Sequence, residues 1–158
     1  MKRIFFDQER CLACRSCLLA CWLKHSRTKY LPEAILEKPG PVPRIRVTRQ
    51  ADKSLVLQCR QCPEPYCLSA CISGAITRKD EVPVINRDRC VHCYSCLMVC
   101  PYGVIAMDRE NPVAVKCELC QDEEVPPCVS SCPTKALFFG QASEFEEVKK
   151  KRRSRCIT

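Results

Sequence analysis

Glycine is scarce in this sequence, with four residues in 158, at positions 40, 74, 103 and 140. None forms a G-x-G-x-x-G run or a P-loop, so no backbone cradle for a nucleotide or flavin is expected. Long apolar runs are lacking too. The longest beside a cysteine group, residues 18–23, falls far short of the roughly 20 residues that span a bilayer, so no direct membrane span is expected. The first ten residues turn charged after a very short apolar run, with no h-region and no small-residue cleavage site. No secretory leader is therefore read there, and the expected location is cytoplasmic. Aromatic residues make up only 6% of the chain, which is thin material for a conventional core. No Ser-His-Asp or Cys-His arrangement suggests bond-making chemistry, so no catalytic site is expected.

Cysteine is the opposite case, with seventeen of 158 residues. Such density marks either a secreted disulfide scaffold or a metal protein, and the absence of an export signal favours the metal. Sixteen of the seventeen fall into four groups of four. The first is Cys11, Cys14, Cys17 and Cys21; the second is Cys59, Cys62, Cys67 and Cys71. The third is Cys90, Cys93, Cys96 and Cys100, and the fourth is Cys117, Cys120, Cys128 and Cys132. Only Cys156 is left over.

The flanks repeat with the groups. Ile4-Phe5-Phe6-Asp7 and the run from Val84 to Arg89 each read as a short strand entering a cysteine loop. The segments after Cys71, Cys100 and Cys132 each read as one helical turn ending in a small-plus-aliphatic pair that starts a strand. The last cysteine of each group is expected to open that helix. Cysteines two residues apart suit a cubane, because a tight loop can wrap three corners of one cube while its N–H groups face the sulfurs. Structural zinc sites use two separated pairs instead, so a zinc-stapled interaction protein is the weaker alternative. Four [4Fe–4S] clusters are therefore expected. The formal charge of +8 then misleads, because it counts every cysteine as a neutral thiol. Each oxidised cluster with four thiolates carries about −2, which leaves the loaded protein near neutral. Nucleic acid is not an expected partner.

The chain resembles the four-cluster ferredoxin-type electron-transfer subunits of molybdenum and tungsten oxidoreductases, hydrogenases, formate dehydrogenase, DMSO reductase and carbon monoxide dehydrogenase systems. The motifs that carry the resemblance cover residues 11–133. The run from Cys17 through Trp22 to Ser26 is most similar to members serving carbon monoxide dehydrogenase or aldehyde/tungsten oxidoreductase. The resemblance implies an α+β fold of two ferredoxin-like di-cluster units, one inserted in the other. Residues 1–50 plus 108–142 would form the outer unit, residues 51–107 the inserted one, and residues 143–158 a basic tail. It also implies crossed ligation. One cluster takes Cys11, Cys14, Cys17 and Cys132, and a second takes Cys59, Cys62, Cys67 and Cys100. A third takes Cys90, Cys93, Cys96 and Cys71, and a fourth takes Cys117, Cys120, Cys128 and Cys21. Trp22 and Ile72 stand where a proline follows the last cysteine elsewhere, which should affect the turn and not ligation. The implied partner is a catalytic redox subunit, with further copies of the chain or a soluble ferredoxin as other candidates. A freely diffusing multi-cluster ferredoxin is the alternative function.

Outside the groups, residues 44–48 and 54–58 alternate with period two across Ala51-Asp52-Lys53, which predicts a hairpin, either a decorated edge or a docking surface. His25 and His92 are read as solvent-facing or as hydrogen-bond donors to sulfur. Ser143 to Glu146 reads as a capping box. The basic run beyond it is read as a solvated, partly frayed end, with an electrostatic latch on an acidic partner as the sharper alternative. Cys156 is taken as a spare thiol.

Overall fold

The fold is given by a computed structural model that describes residues 1–108 and 111–154. Among these residues the strands form four separate antiparallel pairs. Three are hairpins: β2 (Ile45–Gln50) with β3 (Lys53–Gln58), β4 (Ile76–Lys79) with β5 (Val82–Ile85), and β6 (Ala106–Asp108) with β7 (Val113–Val115). The fourth joins the two ends of the fold. There β1 (Arg3–Phe6) lies against β8 (Leu137–Gly140), with Arg3 opposite Gly140 and Phe6 opposite Leu137. The β2–β3 hairpin forms as its alternation predicts, and turns at Ala51 with φ of 51°. The β4–β5 hairpin closes through Asp80 and Glu81, both at positive φ (48° and 65°), as a type I′ loop requires.

The cysteine groups occupy the connections between these pairs. A short helix follows in each: α1 (Ser16–Lys24), α3 (Tyr66–Ser69), α4 (Ser95–Met98) and α5 (Pro127–Ser130), with the single turn α2 (Leu31–Ala34) lying between α1 and β2. The placement corrects the sequence reading. In groups two to four the third cysteine, not the fourth, sits in the helix, and in group one α1 holds both Cys17 and Cys21; in every group the chain resets just before the third cysteine. Arg15 and Tyr94 do so in the left-handed region, and Pro65 and Pro126 do so with a fixed φ. After the fourth cysteine of groups two to four comes a tight turn and not a helix. The N–H groups of Gly74, Gly103 and Lys135 donate to the carbonyls of Cys71, Cys100 and Cys132, each at 3.1 Å. Ile72 makes the same turn as Pro101 and Pro133. Trp22 does not, because α1 simply continues past Cys21 to Lys24.

Two cores result, and both are built around cysteine. One gathers Ile4, Ile45, Val56 and Leu137 with Cys17, Cys21 and Cys128. The other gathers Ile76, Ile85, Ile105 and Ala114 with Cys96. The β2–β3 hairpin belongs to the first: Gln58 donates to the Ile4 carbonyl and Ser54 to the Cys11 carbonyl, while Arg46, Thr48 and Arg49 face outward.

The C-terminal segment is docked rather than frayed through Ser154. Helix α6 (Ala142–Ser154) places Phe145 against Phe5 (ring centroids 5.1 Å, stacked) and Phe138 (5.9 Å). Arg152 donates to the Lys135 carbonyl, and Arg153 pairs with Glu9. The cap also differs from expectation: Glu144 accepts from the Gln141 N–H at 2.7 Å, two residues earlier than the predicted box. Gly140 leaves room for this, since a Cβ there would meet Glu144 Oε2 at 2.5 Å. Phe145→Ala should cost about 3–5 kcal/mol, the usual range for a buried phenylalanine. A calorimetric melt of the loaded protein checks this, and a change under about 1 kcal/mol would mean that α6 is not anchored by that ring. Cys156 lies outside the described residues, and no described helix is long and apolar enough to cross a membrane.

Candidate metal centres

The cysteine loops share a backbone conformation that their sequences do not advertise. In all four groups the residue just before the second cysteine has positive φ: Ala13 (53°), Gln61 (51°), His92 (58°) and Leu119 (62°). In groups one and three a second such residue precedes the third cysteine, Arg15 (62°) and Tyr94 (60°). None is glycine, and each carries the left-handed penalty of about 1–2 kcal/mol. Alternating handedness turns successive N–H groups toward one side and makes a concave nest for anions, the arrangement that sulfide-rich clusters require.

The tertiary structure then brings cysteines together across groups. Cys11, Cys14, Cys17 and Cys132 line one cavity; Cys59, Cys62, Cys67 and Cys100 line another; Cys90, Cys93, Cys96 and Cys71 line a third. The three cavities are alike, about 20 Å³ each. Cys21 reaches the remaining cysteines from α1, close enough to raise the pKa values of Cys117, Cys120 and Cys128 by like-charge repulsion. The mixing of groups follows from packing, because α1 lies on α5 and α3 on α4.

The donor set fits a cationic, sulfur-bound tenant. Burial, followed by repulsion from Cys132, pushes the Cys17 thiol up to about 11, and burial with repulsion from Cys67 does the same at Cys96. Burial lifts Cys117 to about 12 against an opposing Leu119 N–H, and lifts Cys128 higher still. Thiols so placed ionise only where positive charge enters with them, and iron would supply it. Backbone N–H groups already face the sulfurs: Ala136 donates to Cys132 Sγ at 3.2 Å and Arg44 to Cys21 Sγ at 3.3 Å.

Hydroxyls sit two residues after several cysteines, a pattern the sequence reading missed although it is written there. Ser16 lies 3.4 Å from Cys14 Sγ, Ser73 3.7 Å from Cys71 Sγ and Thr134 3.7 Å from Cys132 Sγ, and Ser95 bonds Cys93. All four serve the first and third quartets, which also present the two exposed cysteines, Cys14 and Cys93. The second and fourth quartets meet a different neighbour. Lys116 is 0% exposed; its ammonium donates to the Cys117 carbonyl at 3.1 Å and stands 3.8 Å from Cys59 Sγ. Gln61, also buried, donates to the same carbonyl at 3.0 Å.

Neither histidine lines any of the three cysteine cavities. His92 is exposed within its loop. His25 is half-buried, and desolvation together with the charges of Arg44 and Lys24 brings its pKa down to about 4. It lines a broad depression with Arg27, Arg44 and Arg87, whose cations are committed to Glu37, Glu118 and Asp108.

Comparison with known proteins agrees with this chemistry. The 4Fe-4S dicluster domain family matches residues 53–142. The iron-sulfur protein of Rhodospirillum rubrum is 35% identical over 150 residues, covering 85% of this chain and 79% of that one. The electron transport protein HydN of Escherichia coli is 30% identical over 172 residues, covering 96% and 95%. The thiosulfate reductase electron transfer subunit PhsB of Salmonella typhi is 32% identical over 152 residues, covering 89% and 76%.

Proposed function

Since the chain belongs to the 4Fe–4S dicluster family of electron-transport proteins and carries [4Fe–4S] clusters, we propose that it relays electrons through four such clusters as a non-catalytic subunit of a larger oxidoreductase. The observation that carries this reading is the mixing of the groups: three like-sized cavities are each lined by four cysteines from two groups, and Cys21 reaches Cys117, Cys120 and Cys128. The ligands are then Cys11, Cys14, Cys17 and Cys132; Cys59, Cys62, Cys67 and Cys100; Cys90, Cys93, Cys96 and Cys71; and Cys117, Cys120, Cys128 and Cys21. When bound, the clusters supply four one-electron centres whose potentials follow charge, burial and hydrogen bonds to sulfur.

The chain's own residues hold these centres in a line. The first and fourth quartets exchange Cys132 and Cys21, and the second and third exchange Cys100 and Cys71. Cys59 and Cys117 meet at Lys116, between the second quartet and the fourth. This supports the nested arrangement of 1–50 plus 108–142 around 51–107. Hairpins β2–β3 and β6–β7 cross the two boundaries and tie the units together. Val47 and Val56 wall the first cavity against water. Cys14 and Cys93, exposed at opposite ends of that line, are the points where electrons would enter and leave.

The partner is a catalytic redox subunit in the cytoplasm. The run from Cys17 to Ser26 favours a carbon monoxide dehydrogenase or aldehyde/tungsten oxidoreductase, while the similarity to PhsB keeps a reductase within the same scheme. The test is iron, acid-labile sulfide and zinc per chain in anaerobically purified protein, together with whatever co-purifies. About sixteen irons and sixteen sulfides are expected. Zinc with little sulfide overturns the electron-transfer reading, and loaded chain that always purifies alone overturns the subunit reading.

A further inference from the structure

A fully buried lysine needs a compensating negative charge, because an isolated ammonium in the interior is too costly to persist. Among the described residues no carboxylate answers Lys116. Among the described residues its ammonium meets the Cys117 carbonyl and the sulfur of Cys59, and it appears in no ion pair. Its reach extends to Cys67, where burial raises the pKa and Lys116 opposes the rise. Cys59 and Cys67 belong to the second quartet, and Cys117 to the fourth.

We propose that Lys116 is a positioning residue for electron transfer, a built-in cation that raises the reduction potentials of the second and fourth clusters above those they would have without it. The inference rests on the ligand assignment proposed above. The negative charge that compensates Lys116 is that of the thiolate-bound clusters on either side of it. Reduction adds one electron, and so one negative charge, to a centre while making and breaking no bond; the electron comes from the redox partner. A fixed ammonium a few ångströms away favours that added charge, and the low local polarity prevents water from screening it. The first and third quartets lie at the other ends of their units and take hydroxyl donors instead, from Ser16 and Thr134 and from Ser73 and Ser95. The chain therefore uses two different devices. Weak neutral donors serve the quartets that hold the exposed Cys14 and Cys93, and one shared charge serves the pair at the seam between the two units.

The shared position matters for electron flow. One ammonium acting on both sides of the junction raises both central potentials, so its charge favours placing an electron at the junction relative to the ends. No local pattern marks Lys116 in the sequence. It is the fourth of four consecutive buried residues, Val113 to Lys116, and only the packing of β7 between the two units reveals it.

The test is a potentiometric titration of loaded Lys116→Met protein, followed by electron paramagnetic resonance and visible absorbance, with iron and sulfide counted on the same sample. Two of the four reduction equilibria should fall about tenfold, near 59 mV for one electron, while the other two stay put. Lys116→Gln keeps a donor for the Cys117 carbonyl without the charge, and should shift the same two; it carries the test if the methionine variant fails to load. Lys116→Arg should restore potentials close to the parent. Unchanged midpoints in a fully loaded neutral variant overturn the proposal, as does an arginine variant that falls as far as the glutamine one. A low iron and sulfide count in the parent protein would instead point to failure of the ligand assignment.

Discussion

Stripped of iron and sulfide, the protein loses its cooperative melt and most of its far-UV dichroism. The reason lies in what the cores are made of. Cys17, Cys21, Cys96 and Cys128 are buried core residues, and the strands around them run from three to six residues. Isolated two-stranded pairs are marginal in water, and all four sheets here are two-stranded. A whole domain has only about 5–15 kcal/mol to lose. Lys116 should add to the loss, since among the described residues no carboxylate pairs with its buried ammonium once the clusters are gone. Circular dichroism of protein treated anaerobically with chelator and oxidant, followed by a thermal ramp, decides the matter. Apoprotein that keeps native dichroism and still melts in one cooperative step would mean that short strands and α6 suffice.

The second large effect is expected at Cys21. Cys21→Ala should remove one cluster, about four irons of sixteen, and the cluster lost should be the one that Cys128→Ala also removes. Cys21 follows Cys17 by four residues in α1, yet its sulfur belongs with Cys117, Cys120 and Cys128 at the other end of the chain. Cys17→Ala should extinguish a different spectroscopic signal, that of the quartet containing Cys132. Electron paramagnetic resonance on the three reduced variants, with iron counted, separates the cases. If Cys21→Ala and Cys17→Ala silence the same signal, ligation is sequential and the crossed assignment is wrong. The loss should be accompanied by destabilisation, because Cys21 is buried in the core that α1 and α5 share.

Much of this was legible from spacing alone. Cysteines two apart leave no room for any structure but a tight loop, so the loops and the strands on either side could be read directly. The hairpin at 45–58 followed from its alternation. The helices were misplaced by one cysteine, although the signals were present: Pro65 and Pro126-Pro127 stand just ahead of Cys67 and Cys128, where a helix can start without a missed N–H. The left-handed residues were invisible, since Ala13, Gln61, His92 and Leu119 have nothing in common as residue types. The docking of α6 depends on Phe5, Phe138 and Phe145, which lie far apart in sequence and meet only in three dimensions. Lys116 was hidden for the same reason, as a lysine beside a cysteine group reads as an exposed charge until the chain folds over it.

The pairing of β1 with β8 has a bearing on how the protein is made. A ribosome delivers residues 59–100 as one continuous stretch, and with them every cysteine assigned to the second and third quartets. The fourth quartet waits for Cys128 and the first for Cys132, and the strand synthesised first waits for β8 at Leu137–Gly140 to travel back to it. Closing a loop that spans nearly the whole chain carries an entropic penalty that local closure avoids. With the ligands assigned as proposed, maturation would have a built-in sequence: the inserted unit could be charged with iron on the nascent chain, while the enclosing unit would remain open until Cys132 and β8 had been made.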